Sequence, residues 1–372
     1  MERILIVGGG IAGLSLASAL RRQGFAPELA ERRPVWPAVG AGIALHANAV
    51  RVLRELGLCD AIDEASAPFP RWSFRDQDGE PLCDTDLEDL WTDVGPCLGI
   101  TRVHLQRILA GAAAALPHRL GVAIAELRQD GDRVHVEMTD GSSGYYDLVV
   151  GADGIYSTVR RLAIGPVEPS YAGTMAWRSV IRTRPPGVDH LMILMGEGRF
   201  FGLVPVGGGQ TYGFAGLDSD RFDDPLEGRL ERFRERFEAF GGPVPDYLAA
   251  LESDEQLHVS PIEWMELDRW HTGRVVLIGD AAHAAPPHMG EGGAMAMEDA
   301  VVLAAALRSE ATVEAALELY EERRRPRAEW VQEQSRVAAR AWLLPAAVRN
   351  AALRERGDQM LRERYRPLIA VP

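Results

Sequence analysis

The chain of 372 residues contains no lysine: all 40 of its basic residues are arginine. This absence excludes a Walker-type phosphate loop, Schiff-base catalysis and pyridoxal phosphate chemistry, because each needs an amine on a flexible stem. Any anionic group must be met by arginine, histidine, hydroxyls or backbone N–H groups. Cysteine is also scarce. Cys59, Cys83 and Cys97 show no CxxC spacing, and an odd, sparse set fits reduced thiols in a cytoplasmic protein better than a disulfide framework. Long apolar runs are missing too. The longest apolar-rich stretch, 294–307, carries Glu298 and Asp299 and is too short to span a bilayer. The chain opens directly in an apolar strand, so we expect no secretory leader. Positive charge is in deficit, with a net charge of −14, which argues against nucleic acid or an anionic membrane as a stable partner. The histidines show no metal-ligand spacing, and no metal is expected.

What the chain does carry is 47% apolar residues, enough for a large core, and two motifs some 260 residues apart. Residues 3–7 are a continuous apolar run and predict a buried parallel strand. They lead into Gly8-Gly9-Gly10-Ile11-Ala12-Gly13 and a helix over 11–22 ended by Gly24. A second strand over 26–30 ends at Glu31. In this GxGxxG unit Gly8 permits the tight turn, Gly10 lets backbone approach a pyrophosphate, and Gly13 lets helix and strand pack closely. Glu31 lies where a carboxylate accepts ribose hydroxyls. The unit predicts a dinucleotide without choosing between FAD and NAD. The second motif is the strand 274–278 followed by Gly279-Asp280. Asp280 stands where a carboxylate accepts a hydrogen bond from the ribityl chain of FAD; a turn or helix-capping Asp is the alternative. Pro286-Pro287-His288-Met289-Gly290-Glu291-Gly292-Gly293 then enters a helix over 294–308, whose free N–H groups would face the flavin pyrimidine edge.

Between these motifs, helices are predicted over 47–56 and 101–115. Strands are predicted over 122–126, 133–138 and 145–150, with Asp140-Gly141 as a hairpin turn. From about 166 to 270 the texture becomes that of an antiparallel meander, with strands over 172–183, 190–195, 200–206 and 210–217 and a helix through Leu226, Leu230, Phe233, Phe237 and Phe240. Helices follow over 312–340, kinked at Pro326, and 345–364.

Together these motifs resemble the single-component FAD-dependent aromatic monooxygenases, the p-hydroxybenzoate and salicylate hydroxylase-like group A family, over about residues 3–335. The family's Gly-Asp motif is matched by Gly279-Asp280, and its Asp-Gly-x-x-Ser-x-x-Arg frame by Asp153-Gly154, Ser157 and Arg160. The resemblance implies an α/β fold: a Rossmann-like FAD-binding domain (1–70, 98–165, 271–340), an inserted antiparallel-sheet substrate domain (71–97, 166–270) and a C-terminal helical tail (341–372). It implies FAD contacts from Gly8, Gly10, Ile11, Ala12, Gly13, Glu31, Arg32, Gly42 (in the loop Gly40-Ala41-Gly42-Ile43), Arg102, Leu127, Asp153, Asp280, Pro287, Gly290, Gly292, Gly293 and Ala294. Asp153 is implied to serve the pyrophosphate region, Leu127 the adenine. The chain departs from the family's Gly-Gln-Gly-x-Asn with Glu291 and Ala294.

The implied activity is hydroxylation of an aromatic or polycyclic small molecule with NAD(P)H and O2, through a C4a-hydroperoxyflavin. A second GxGxxG is absent, so NAD(P)H would bind transiently at the surface. His288 and Arg178 are the candidate catalytic or substrate-contacting residues, and His283 is read as structural. Met175, Phe201, Leu203, Phe214 and Met289 are candidate pocket walls, though each taken singly is better read as plain core. The alternatives are a flavin epoxidase or N-hydroxylase, or a non-catalytic flavin- or ligand-binding protein. A halogenase is disfavoured, because its Trp-x-Trp-x-Ile-Pro motif and catalytic lysine are missing. A monomer or homodimer is expected.

Overall fold

The computed structural model describes residues 3–36 and 41–372. Ile4–Val7 is fully buried and lies at the centre of a six-stranded sheet. It pairs in parallel with Leu148–Gly151 on one side and Glu28–Glu31 on the other. Val275–Leu277 extends the sheet in parallel beyond Leu148–Gly151, and His118–Leu120 closes the other edge. Parallel strands covered on both faces must be apolar throughout, which is why Ile4–Val7, Leu148–Gly151 and Val275–Leu277 read as unbroken apolar runs. The helix Ile11–Arg22 packs against the helices Gly292–Ser309 and Arg102–Ala113. The hairpin expected at Asp140-Gly141 joins Arg133–Met138 to Ser143–Tyr146, with Gly141 at φ +83°.

The second large sheet has seven strands, in the order His258–Trp264, Ser170–Ile181, Gln210–Asp218, Arg199–Val206, Leu191–Met195, Arg71–Asp76, Pro81–Asp86. Five of its strands are antiparallel neighbours, but only Leu191–Met195, Arg199–Val206 and Gln210–Asp218 follow one another as the expected meander; Ser170–Ile181 instead lies between Gln210–Asp218 and His258–Trp264. The contact between Leu191–Met195 and Arg71–Asp76 is parallel, so the sheet as a whole is mixed. The reason is connectivity: Arg71–Asp76 arrives from far upstream, with no hairpin to impose an antiparallel direction. One face of this sheet is covered by the helices Arg229–Phe237 and Val244–Ala249, where Phe233, Phe237, Phe240 and Tyr247 close around Trp177, Phe201 and Leu203. The other face carries Phe200, Val204, Val206 and Tyr212 into the main core.

A small antiparallel sheet, not anticipated from the sequence, holds the two large ones together. It comprises Gly42–Leu45, Leu98–Thr101 and Ser66–Pro68. A Cβ at Gly99 would collide with the Pro205 carbonyl, and one at Gly42 with the Tyr212 side chain, so glycine is what lets the two bodies touch here. Val313–Trp342 is one continuous 30-residue helix that contains Pro326. The final helix, Ala346–Tyr365, packs on Pro81–Asp86, with Gly357 against Cys83 and Tyr365 buried in the main core.

Candidate functional site

At the end of the first strand Gly8 turns at φ +111°, and a Cβ there would collide with the Ala152 carbonyl. A Cβ at Gly13 would collide with the Gly8 carbonyl, so this position fixes how closely helix and strand pack. Gly10 differs from both: a Cβ there meets nothing within 4 Å. Only there does a side chain project into open space, where a ligand would approach. The helix Ile11–Arg22 has no side-chain cap and no acidic residue in its first turn. Its leading N–H groups are therefore available to an anion. Glu31 is buried and holds the turn in place: Oε2 accepts from Gly9 N at 2.7 Å and Oε1 from Arg33 N at 2.9 Å. Two further residues, unsignalled in the sequence, brace Gly9: Gln106 Nε2 donates to its carbonyl at 2.5 Å, and the Trp36 ring lies against its Cα. Arg32 is exposed beside Glu31. The backbone bonded to this end belongs to Gly121 and Val122, which donate to the carbonyls of Arg33 and Glu31. Leu127 sits further along, on Ile124–Asp130 opposite Val136.

The second motif converges on the same place. Gly279, at φ +59°, donates its N–H to Asp299 Oδ2 at 2.8 Å, and a Cβ there would lie 3.0 Å from Ala12 Cβ and 3.2 Å from Ala296 Cβ. Asp280 is thereby pinned beside the start of the first helix. Its carboxylate is exposed, and no protein group among the described residues engages it. The helix Gly292–Ser309 likewise begins without a side-chain cap or an acid in its first turn. A Cβ at Gly293 would sit 2.9 Å from Ile43 Cδ1 and 3.9 Å from Ile11 Cδ1, and one at Gly292 3.9 Å from Asp280 Oδ1. Pro287 is exposed, Gly290 turns at φ +67° and Ala294 is buried along this edge. Two uncapped helix N-termini, an open glycine and an unengaged carboxylate thus line one groove. That arrangement suits a long ligand with a charged centre and a hydroxylated stem. Ile43 borders it beside Gly293, while Gly42 is buried against Tyr212 and Gly40, of the same loop, lies outside the described residues.

Asp153 follows the end of the strand Leu148–Gly151. Its carboxylate turns inward and caps the helix Thr158–Ala163, accepting from Ser157 Oγ, Thr158 N (2.7 Å) and Val159 N (3.1 Å). Burial pushes its pKa up, and these hydrogen bonds oppose the rise. Arg160 completes this staple. It donates to the carbonyl of Ala281, the residue after Asp280, at 3.1 Å. The Asp-Gly-x-x-Ser-x-x-Arg frame therefore positions the Asp280 turn.

Behind the groove lies a buried polar network. Asp299 accepts from His283 Nε2 at 2.6 Å and from Arg324 Nε at 2.8 Å; Glu298 accepts from Arg324 and Arg327, each at 2.7 Å. His283 is structural, as expected. Glu291, the departure from the family pattern, points away from the groove. Its Oε1 lies 2.8 Å from His46 Nδ1, and its Oε2 accepts from Asn48 Nδ2 at 2.8 Å.

The sheet face turned toward the groove is aromatic. Phe214 lies across from Gly202 and Phe200 across from Gly216, and a Cβ on either glycine would collide with the facing ring. Rings run on from Tyr212 to Phe214, Phe200, Trp342 and His288, with centroids 4.7 to 6.3 Å apart. Met175, Phe201 and Leu203 instead sit on the opposite, helix-covered face and form core, the reading favoured for each taken singly, so they are not pocket walls. The alternation that separates the faces does not say which face meets the groove, since both are buried. Met289 is buried in the main core beside this face.

His288 is buried, not a partly exposed turn residue. Burial, with Arg364 nearby, lowers its pKa to about 4, so the ring is neutral at pH 7. It edges onto Trp342 in a small cavity that Phe200, Met195 and Leu343 also line, and its Nδ1 has no protein partner among the described residues. Arg178 sits in register between Phe214 and His258 on the neighbouring strands and donates to Ser260 Oγ at 2.8 Å. No carboxylate among the described residues lies within ion-pairing distance of it. Burial lowers its pKa, the nearby Tyr212 hydroxyl opposes the fall and Arg102 adds to it. Burial raises the pKa of Tyr212, while Arg178 and Arg102 pull it down. Arg102 itself is exposed at the start of its helix. Among the described residues no cluster of side chains could hold a metal ion, and no helix is long and apolar enough to cross a membrane.

Residues 1–335 match the model of a family described as an FAD binding domain. The chain is 37% identical over 323 residues to an aurachin C monooxygenase/isomerase of Stigmatella aurantiaca, covering 86% of this chain and 84% of that protein. It is 34% identical over 335 residues to an FAD-dependent urate hydroxylase of Klebsiella pneumoniae, covering 87% and 85%. The crystal structure of Klebsiella pneumoniae HpxO complexed with FAD and uric acid superposes with a TM-score of 0.91 at 29% identity, over 100% of this chain and 97% of that one.

Proposed function

The chain belongs to the FAD-binding-domain family of flavoprotein aromatic monooxygenases, and from that premise we propose that it hydroxylates a planar, electron-rich aromatic compound that carries an acidic oxygen. The enzyme is an FAD-dependent oxidoreductase, and NAD(P)H and O2 are the co-substrates typical of its family. The groove fits FAD on its own geometry: open space at Gly10, two helix N-termini without caps, and the unengaged Asp280.

Bound FAD supplies hydride acceptance from NAD(P)H and activation of O2. The rest falls to the protein. The first helix N-terminus and Gly10 receive the pyrophosphate, Glu31 the adenosine ribose and Asp280 the ribityl chain. The N–H groups of Gly292, Gly293 and Ala294 would meet the pyrimidine edge and favour negative charge there. Phe200 and Phe214 hold the substrate ring flat and keep water from the reacting face. Arg178 and the Tyr212 hydroxyl meet the acidic oxygen, whose negative charge makes the ring carbons ortho and para to it nucleophilic. His288 is neutral and offers a hydrogen bond rather than a charge.

The observation that carries this reading is Arg178. It is a cation on the aromatic face, partnered by a hydroxyl and lacking a carboxylate. Urate, the substrate named for one relative, is a compact heteroaromatic of the required kind. The three unpaired thiols support a cytoplasmic setting. The test is a screen of hydroxybenzoates, hydroxypyridines, purines and quinolones for accelerated NAD(P)H oxidation, with mass spectrometry for a product one oxygen atom heavier. Turnover by neutral aromatics alone overturns the acidic-oxygen reading. If no compound accelerates oxidation beyond the background rate, the hydroxylase assignment for this chain fails.

A further inference from the structure

Glu291 is the residue before the helix Gly292–Ser309, the helix whose free N–H groups would face the flavin in the reading above. A carboxylate in this position is drawn to the positive end of the helix and to its unpaired N–H donors. Here it does not go there. The helix has no side-chain cap, and the Glu291 carboxylate is folded back into the core with its side chain 0% exposed.

Two residues of the helix Ala47–Glu55 region hold it back. His46, which precedes that helix, donates Nδ1–H to Oε1 at 2.8 Å, and Asn48 donates to Oε2 at 2.8 Å. Both are themselves buried. Asn48 also reaches Glu298 Oε1 at 3.3 Å and so is held on its other side. The His46 ring is clamped flat on Trp72, 5.6 Å between centroids and 6° between planes, with Tyr365 at 5.0 Å. Tyr365 in turn donates to the carbonyl of Met289, two residues before Glu291, at 2.5 Å. The histidine thus has one orientation, and that orientation aims Nδ1 at the carboxylate. Its Nε2 is buried and unpartnered among the described residues. The ring's polar contact is therefore spent entirely on Glu291.

We propose that His46 and Asn48 form a latch that keeps the Glu291 carboxylate off the N-terminus of Gly292–Ser309, so that this helix end remains free for the pyrimidine edge of FAD. Both are positioning residues that act through Glu291. Released, the carboxylate would fold over the first turn, occupy the N–H groups of Gly293 and Ala294, and place a negative charge where the reduced flavin carries its own. The flavin would then bind more weakly and become harder to reduce. With glutamine at 291 there is no charge to restrain. The latch is thus needed because this chain has Glu291, and it rests on FAD binding alone, not on the acidic-substrate reading above.

The test compares His46→Phe, which keeps the ring stack but removes the donor, with Glu291→Gln and with the double variant. FAD affinity is read by flavin fluorescence and the midpoint potential by dye-coupled reduction. For His46→Phe we expect affinity weakened on the order of tenfold and a lower midpoint potential. Glu291→Gln should stay close to the parent in both. The double variant should return to the Glu291→Gln values, a rescue that a purely structural role of His46 would not give. Thermal melting checks that each variant is folded; if His46→Phe is not, Asn48→Ala with and without Glu291→Gln makes the same comparison. A folded His46→Phe with parental affinity and potential overturns the proposal. So does a double variant as impaired as the single one.

Discussion

Arg324→Met removes the cation at the centre of the buried network without removing its bulk. Arg324 is 0% exposed and serves both Glu298 (2.7 Å) and Asp299 (2.8 Å). The loss is not shared equally. Glu298 keeps both hydrogen bonds from Arg327, at 2.7 Å each. Asp299 keeps His283 and Gly279 N, but its charge lies in the core with less to balance it. Breaking a buried ion pair on one side costs about 3–5 kcal/mol, and the surviving partners place this variant near 3 kcal/mol. A pH signature accompanies it. In the parent, burial would raise the Asp299 pKa, but His283 and then Arg324 outweigh it and hold the group at about 2. A depressed carboxylate contributes stability that is present above its unfolded value of about 4 and is lost as pH falls towards the folded value. Without Arg324 the folded value rises, so less stability is lost over that interval. The deficit of Arg324→Met must therefore narrow on acidification. Urea unfolding of parent and variant from pH 7 to pH 3 measures both quantities. A deficit below about 1 kcal/mol, or one that does not change with pH, would refute the assignment of Arg324 as the charge that balances Asp299.

Other variants probe the groove and the aromatic face. Gly10→Ala should melt like the parent as apoprotein, because its Cβ meets no protein atom, yet bind FAD on the order of tenfold more weakly. Gly13→Ala should do the reverse, losing about 2 kcal/mol or more in denaturant unfolding, because its Cβ collides with the Gly8 carbonyl. Arg178→Leu should raise KM for an acidic aromatic substrate by about tenfold to a hundredfold while leaving a neutral analogue nearly unaffected, as steady-state kinetics would show. Because the His288 pKa is lowered to about 4, the kcat/KM profile between pH 5 and pH 8 should keep its shape in His288→Gln.

The parts of this site that were legible in the sequence are those where backbone geometry tolerates only one residue type. Gly8, Gly13 and Gly279 each sit where a Cβ would meet backbone or a tightly packed alanine, so their spacing announced the two ends of the groove 260 residues apart. What stayed hidden was set by partners distant in the chain. The exchange of glutamine for Glu291 was visible as a departure. Its direction was not, because His46 and Asn48 lie 245 and 243 positions away. Arg71–Asp76 joined its sheet in parallel for a similar reason: no turn relates it to Leu191–Met195. The pocket walls failed differently. In Arg199–Val206 successive side chains alternate between two buried faces, so hydrophobicity could not choose between Phe200 and Phe201. Glycine pairing is a partial signal, since Gly202 and Gly216 lie under the rings of Phe214 and Phe200 on the groove face. It does not settle the choice, because Gly213 makes the same room for Tyr247 on the helix-covered face. The distinguishing feature is charge. Arg178 is next to Trp177 in the chain yet points to the opposite face, and a half-buried arginine without a carboxylate belongs on the face where a ligand can supply one.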